Sequence, residues 1–146
     1  MASHRRVPVL LVLALAVAGC ELAGPRIDGP TPLGGTWALV GAPGIEITDG
    51  LEAPRIQFTV GSRIQGETGC ADFSAPVRVS GNGLEIGQLE IGPPPQVCSL
   101  RGHAIEDAFM TALREVTTFS LGRPGDRLIL SGPGGELVFV SPGSLP

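Results

Sequence analysis

Two cysteines, Cys70 and Cys98, stand 28 positions apart in the middle of a 146-residue chain, and the third, Cys20, closes an apolar amino-terminal segment. If that segment is an export leader, the folded part lies in an oxidising compartment and its two cysteines are expected to be joined as a disulfide. Closing a loop of about 29 residues removes about 3–4 kcal/mol of chain entropy from the unfolded state. That is a large share of the stability of a small domain. The segments on either side must therefore fold around a clamp at the centre of the chain.

The amino terminus fits the leader. His4-Arg5-Arg6 is a short positive region, Val7 to Val17 is an apolar run, and Val17-Ala18-Gly19-Cys20 follows. This order is that of a secretory signal peptide, too short to span a bilayer as a helix. Small residues directly before a Cys resemble the bacterial lipobox, in which the Cys is lipidated and becomes the first residue of the mature chain. Residues 1–19 are thus expected to be a lipoprotein signal peptide and Cys20 the lipidation site, its acyl chains anchoring the protein to a membrane. Glu21, where Asp would signal retention, resembles the sorting rule for the outer membrane, facing the periplasm. Gly24, Pro25, Gly29, Pro30 and Pro32 make residues 20–32 a semi-flexible tether behind the lipidated Cys.

The remainder is long enough for one domain. Gly 22 and Pro 14 suit many short strands joined by tight turns. All ten basic residues are Arg; without Arg5 and Arg6 the mature chain keeps eight against fourteen acidic residues, a net charge of −6. A protein of that sign repels phosphate backbones, so nucleic acid is not expected as a partner.

Read in order, Thr36 to Val40 is a first strand, with Trp37 as a core anchor. Gly41 to Pro54 reads as a loop with a short apolar centre at Ile45 to Ile47. Ile56, Phe58 and Val60 alternate with polar residues, Gly61-Ser62 interrupts, and Arg63 to Gly66 follows, which predicts a hairpin turning on the glycine. Pro76 to Ser80, Leu84 to Ile86 and Leu89 to Ile91 are further strand-like runs. Ile105, Ala108, Phe109, Ala112, Leu113 and Val116 form one apolar stripe at helical spacing. Glu106 and Asp107 fall in that helix's expected first turn and Arg114 in its last, as the helix dipole prefers. Thr118 to Leu121, Leu128 to Leu130 and Leu137 to Val140 close the chain as a β-meander, and residues 142–146 are expected to be a disordered tail.

Leu33-Gly34-Gly35-Thr36-Trp37-Ala38-Leu39, Pro54-Arg55-Ile56-Gln57-Phe58, Gly66-Glu67-Thr68-Gly69-Cys70 with Phe73, then Cys98, Glu106 to Leu113 and Leu128-Ile129-Leu130 together resemble the META domain, an HslJ-like family of bacterial envelope proteins. The resemblance covers residues 33–141. It implies an α+β fold: a small, curved, barrel-like antiparallel sheet of roughly eight short strands packed with one amphipathic helix. Members are often lipoproteins linked to stress tolerance, with no general biochemical activity. Two departures stand out, Ala71 where the family usually has Asn, and Pro93-Pro94-Pro95-Gln96 where it often has a Thr before the second Cys.

The chemistry-bearing residues do not assemble a catalytic set. His103 is the one histidine of the mature chain and is expected to cap the helix or lie on its surface. With Cys70 and Cys98 paired, no ordinary zinc set remains, and neither a metal nor a cofactor is expected. Glu106 and Asp107 point some 100° apart on a helix and cannot share a proton. Wide separation without Cys-x-x-Cys favours a structural bridge over a redox-active pair. These readings point to a non-catalytic, monomeric envelope lipoprotein that works through contacts with another envelope protein. The alternative is a module that inhibits a protease or lysozyme, or that holds a small hydrophobic molecule.

Overall fold

A computed structural model describes residues 33–47, 53–59, 62–93, 97–123 and 125–142. The leader, Cys20, the tether to Pro32, and residues 143–146 of the expected tail lie outside the described residues. None of the described helices is long and apolar enough to cross a membrane.

The strands are β1 (Gly35–Ala42), β2 (Ile45–Glu46), β3 (Arg55–Thr59), β4 (Arg63–Glu67), β5 (Asp72–Ser80), β6 (Gly83–Ile86), β7 (Glu90–Ile91), β8 (Thr118–Leu121), β9 (Arg127–Gly132) and β10 (Gly135–Val140), with helix α1 (Leu100–Arg114) between β7 and β8. Strands β1, β3, β4, β5, β6, β8, β9 and β10 follow one another antiparallel around a wall, and β10 pairs back onto β1 through Ala38 and Val140. The result is a closed eight-stranded barrel with one helix, an α+β fold as the sequence implied. Closure removes the open edges that would invite strand pairing with another chain. The two short strands lie off this circuit, β2 extending β1 and β7 pairing with β5.

Period-two alternation decides which residues line the interior. Ile56 and Phe58 of β3, Ile64 of β4, Phe73, Ala75 and Val77 of β5, Leu128 and Leu130 of β9, and Leu137 and Phe139 of β10 are all buried. α1 adds Ile105, Phe109, Ala112 and Leu113 to the same cluster. The Phe109 ring lies 5.6 Å from that of Phe73 and 6.3 Å from that of Phe139, both edge-on. β5 and β10 are four steps apart in either direction round the wall, so Phe109 bridges opposite sides of the barrel. Trp37 is a core residue, its indole N–H donating to the Leu33 carbonyl at 3.0 Å.

Several local expectations shift. Ser99 is the N-cap, its Oγ accepting from the Gly102 N–H at 2.9 Å, so α1 begins five residues before the apolar stripe. Glu106 and Asp107 consequently fall in the second turn, and the first turn carries no acid. Val116 is buried but lies beyond the helix end. Ile45–Glu46 pairs with Gly41 and Ala42, where a loop was expected. In the β3–β4 turn, Ser62 has a positive φ of 61°; Gly61, on which the turn was expected to rest, lies outside the described residues. The run after Cys70 is one continuous strand through Pro76. Strand β5 pairs with β7 at Phe73 and Ser74 and with β6 from Val77 onward, so Pro76 falls where the partner changes; its carbonyl accepts from the Gly87 N–H at 2.8 Å, and without an N–H it cannot return that bond.

Candidate functional site

The outward residues of β3, β4, β5 and β7 form cross-strand rows. Thr36, Gln57, Gln65, Ser74 and Glu90 follow one another in register across five strands. Arg55, Glu67 and Asp72 form a second row beside them. Over these rows lies an open groove of about 640 Å³, and Ile91 adds an apolar side chain to its lining. Ile91 is 50% exposed, next to Glu90. Arg63 sets one rim, its Nη2 donating to Ser74 Oγ at 2.8 Å and to Glu90 Oε2 at 3.2 Å. Gln65 Nε2 donates to Gln57 Oε1 at 3.4 Å.

Gly66 lets the groove form. A Cβ at this position would stand 1.9 Å from the Arg55 carbonyl oxygen, so any side chain would drive β3 and β4 apart. The groove runs into a smaller recess of about 260 Å³ that shares Arg55, Glu67 and Asp72 and reaches Cys70, Ala71 and Pro93.

At that end, two links tie the loop after β4 to α1. Cys70 and Cys98 are disulfide-bonded, with Cα atoms 5.5 Å apart. Thr68, fully buried, is the second link. Its Oγ1 accepts from the N–H groups of Cys70 at 3.1 Å and Ala71 at 2.8 Å, and lies 2.5 Å from Glu106 Oε2. The hydroxyl has one proton to give. The carboxylate takes it, because the Ala71 carbonyl is already served by the Thr68 N–H at 2.7 Å.

The structure also brings His103 to this place. An imidazole nitrogen of His103 and the sulfurs of Cys70 and Cys98 all lie within 4.8 Å of one another. The sulfurs rest against Gly102 in the first turn of α1, where a Cβ would meet Cys98 Sγ at 3.0 Å and Cys70 Sγ at 3.2 Å. Sequence reasoning placed His103 near the helix start but did not bring it to the sulfurs. It also missed Thr68 as a link and read Glu106 as a helix-dipole acid. The available signal was a Thr two residues before the Cys, the pattern of a side chain capping its own turn. Glu85 and Glu90 are exposed and meet Arg78 at 3.8 Å and Arg63 at 3.2 Å.

A profile described as the META domain matches residues 31–143. Three solved structures share the architecture. A protein solved by NMR is 19% identical over 75% of this chain and 93% of its own, with a TM-score of 0.60. An NMR structure from Burkholderia xenovorans is 18% identical over 96% of this chain and 97% of its own, with a TM-score of 0.55. A crystal structure of a DUF4847 family protein from Bacteroides vulgatus is 12% identical over 75% and 94%, with a TM-score of 0.53. These likenesses concern the fold. No curated protein matches the chain.

Proposed function

The chain belongs to the META domain family, and from that premise we propose that it is a non-catalytic envelope lipoprotein that supports envelope integrity or stress tolerance by gripping another envelope protein in the groove over β3, β4, β5 and β7. The groove carries this reading. It is open rather than enclosed, its rows are mostly polar, and the single half-exposed Ile91 gives it an apolar point. Aromatic and aliphatic residues of the described chain fill the barrel interior, with Phe109 reaching both walls. That arrangement favours a protein partner on the outer surface over a small hydrophobic molecule held within. The Lipobox-like end at Cys20 and the tether to Pro32 support membrane attachment in the periplasm, which would restrict the domain to partners within reach of the membrane.

The test is chemical crosslinking in the native envelope followed by capture of the lipidated protein, beside a Cys20→Ser form that cannot be lipidated. Recovery of a partner with the lipidated protein, reduced in the Cys20→Ser form, is the expected result. Equal recovery from both, or none from either, would count against it.

A further inference from the structure

We propose that Cys70, Cys98 and His103 form a zinc site when the disulfide is opened by a dithiol reductant. The donor set is two sulfurs and one imidazole, the ligand chemistry Zn²⁺ prefers. The three ligand atoms lie within 4.8 Å of one another. Ligands in a tetrahedral zinc site are separated by roughly 3–4 Å, given bonds of about 2.3 Å to sulfur and 2.0 Å to nitrogen. Only small side-chain rotations separate the two arrangements. The Cα separation of 5.5 Å that accommodates the disulfide also suits two thiolates on one ion.

The site is built into the fold at both ends. Cys70 is held by the turn that Thr68 caps, with its own N–H bonded to Thr68 Oγ1. Cys98 and His103 flank the Ser99 cap and lie on either side of Gly102, whose lack of a side chain leaves room for the sulfurs. Cys70 is buried, Cys98 half-buried and His103 exposed, and the recess beside Cys70 provides a way in.

The chemistry balances. The dithiol gives two electrons and two protons, becomes a disulfide itself, and leaves Cys70 and Cys98 as thiols. Zn²⁺ displaces both thiol protons and binds two thiolates and the neutral imidazole, with water in the fourth position. Oxidised and metal-loaded forms thus exclude each other.

The test uses the full chain as Cys20→Ser, so that Cys70 and Cys98 are the remaining thiols, reduced and titrated with Co²⁺ and with Zn²⁺ against a chromophoric chelator. The expected result is one ion per chain, with thiolate-to-cobalt charge transfer in the near ultraviolet, and no binding by the oxidised chain. His103→Ala should weaken binding about tenfold or more, since loss of even an outer-shell partner costs about 10–100-fold. Binding unchanged in His103→Ala, or absent from the reduced chain, would overturn the proposal. If reduction unfolds the chain, Zn²⁺ should restore the folded spectrum of the parent but not of His103→Ala. Failure to restore the parent would equally overturn it.

Discussion

Thr68 Oγ1 donates a 2.5 Å hydrogen bond to the Glu106 carboxylate, joining the loop after β4 to the second turn of α1. The same oxygen accepts from two backbone N–H groups, so one buried hydroxyl organises residues 68–71 and docks them on the helix.

Thr68→Val keeps the shape and removes the hydroxyl. It leaves the Cys70 and Ala71 N–H groups and the Glu106 carboxylate without this partner, and should cost about 2–4 kcal/mol in urea denaturation. Glu106→Gln retains an amide oxygen to accept the bond and should cost about 1 kcal/mol or less. A loss under about 1 kcal/mol from Thr68→Val would show that the hydroxyl does not hold the loop.

Phe109→Ala should cost about 3–5 kcal/mol, because the ring is fully buried and touches opposite walls through Phe73 and Phe139. A loss under about 1 kcal/mol in the same measurement would mean that the helix does not pack into the barrel as described.

Gly66→Ala tests the close approach of β3 and β4. With a Cβ directed 1.9 Å from the Arg55 carbonyl oxygen, the strands must part, at a cost of about 1–3 kcal/mol. Amide exchange should rise first at the pairs Ile56–Gly66 and Gln57–Gln65. Unchanged exchange there would contradict the geometry.

The Cys70–Cys98 bond should contribute about 3–4 kcal/mol, read by comparing the native chain with the Cys70→Ser, Cys98→Ser double variant. Without reductant, neither sulfur should react with an alkylating agent. Modification of both would contradict the bond.

Most of the wall was legible because strand and helix periods differ. Alternation at Ile56 and Phe58, or at Leu128 and Leu130, marks a half-buried strand, and the stripe through Ile105, Phe109 and Leu113 marks a helix. Closure was not legible in local pattern, since β1 and β10 meet across almost the whole domain and no window contains both. Strand β2 is two residues long, too short for a period to register. The helix start was misjudged because Gly102 and His103 are weak helix formers, and the Ser99 cap outweighs them. In the candidate site, the cysteine pair stood out by count. The rows of the groove depend on the register of Gln57, Gln65 and Ser74, which is fixed only when the strands pair.

The groove itself is tested most directly by a photo-crosslinking residue placed at Gln65, in the middle of the polar row, in the lipidated protein within its own envelope. The same probe at Ser120, exposed on β8, serves as control. A discrete crosslinked protein from position 65 that is absent from position 120 is the predicted result. The same products from both positions, or none from position 65, would contradict a partner bound over β3, β4, β5 and β7.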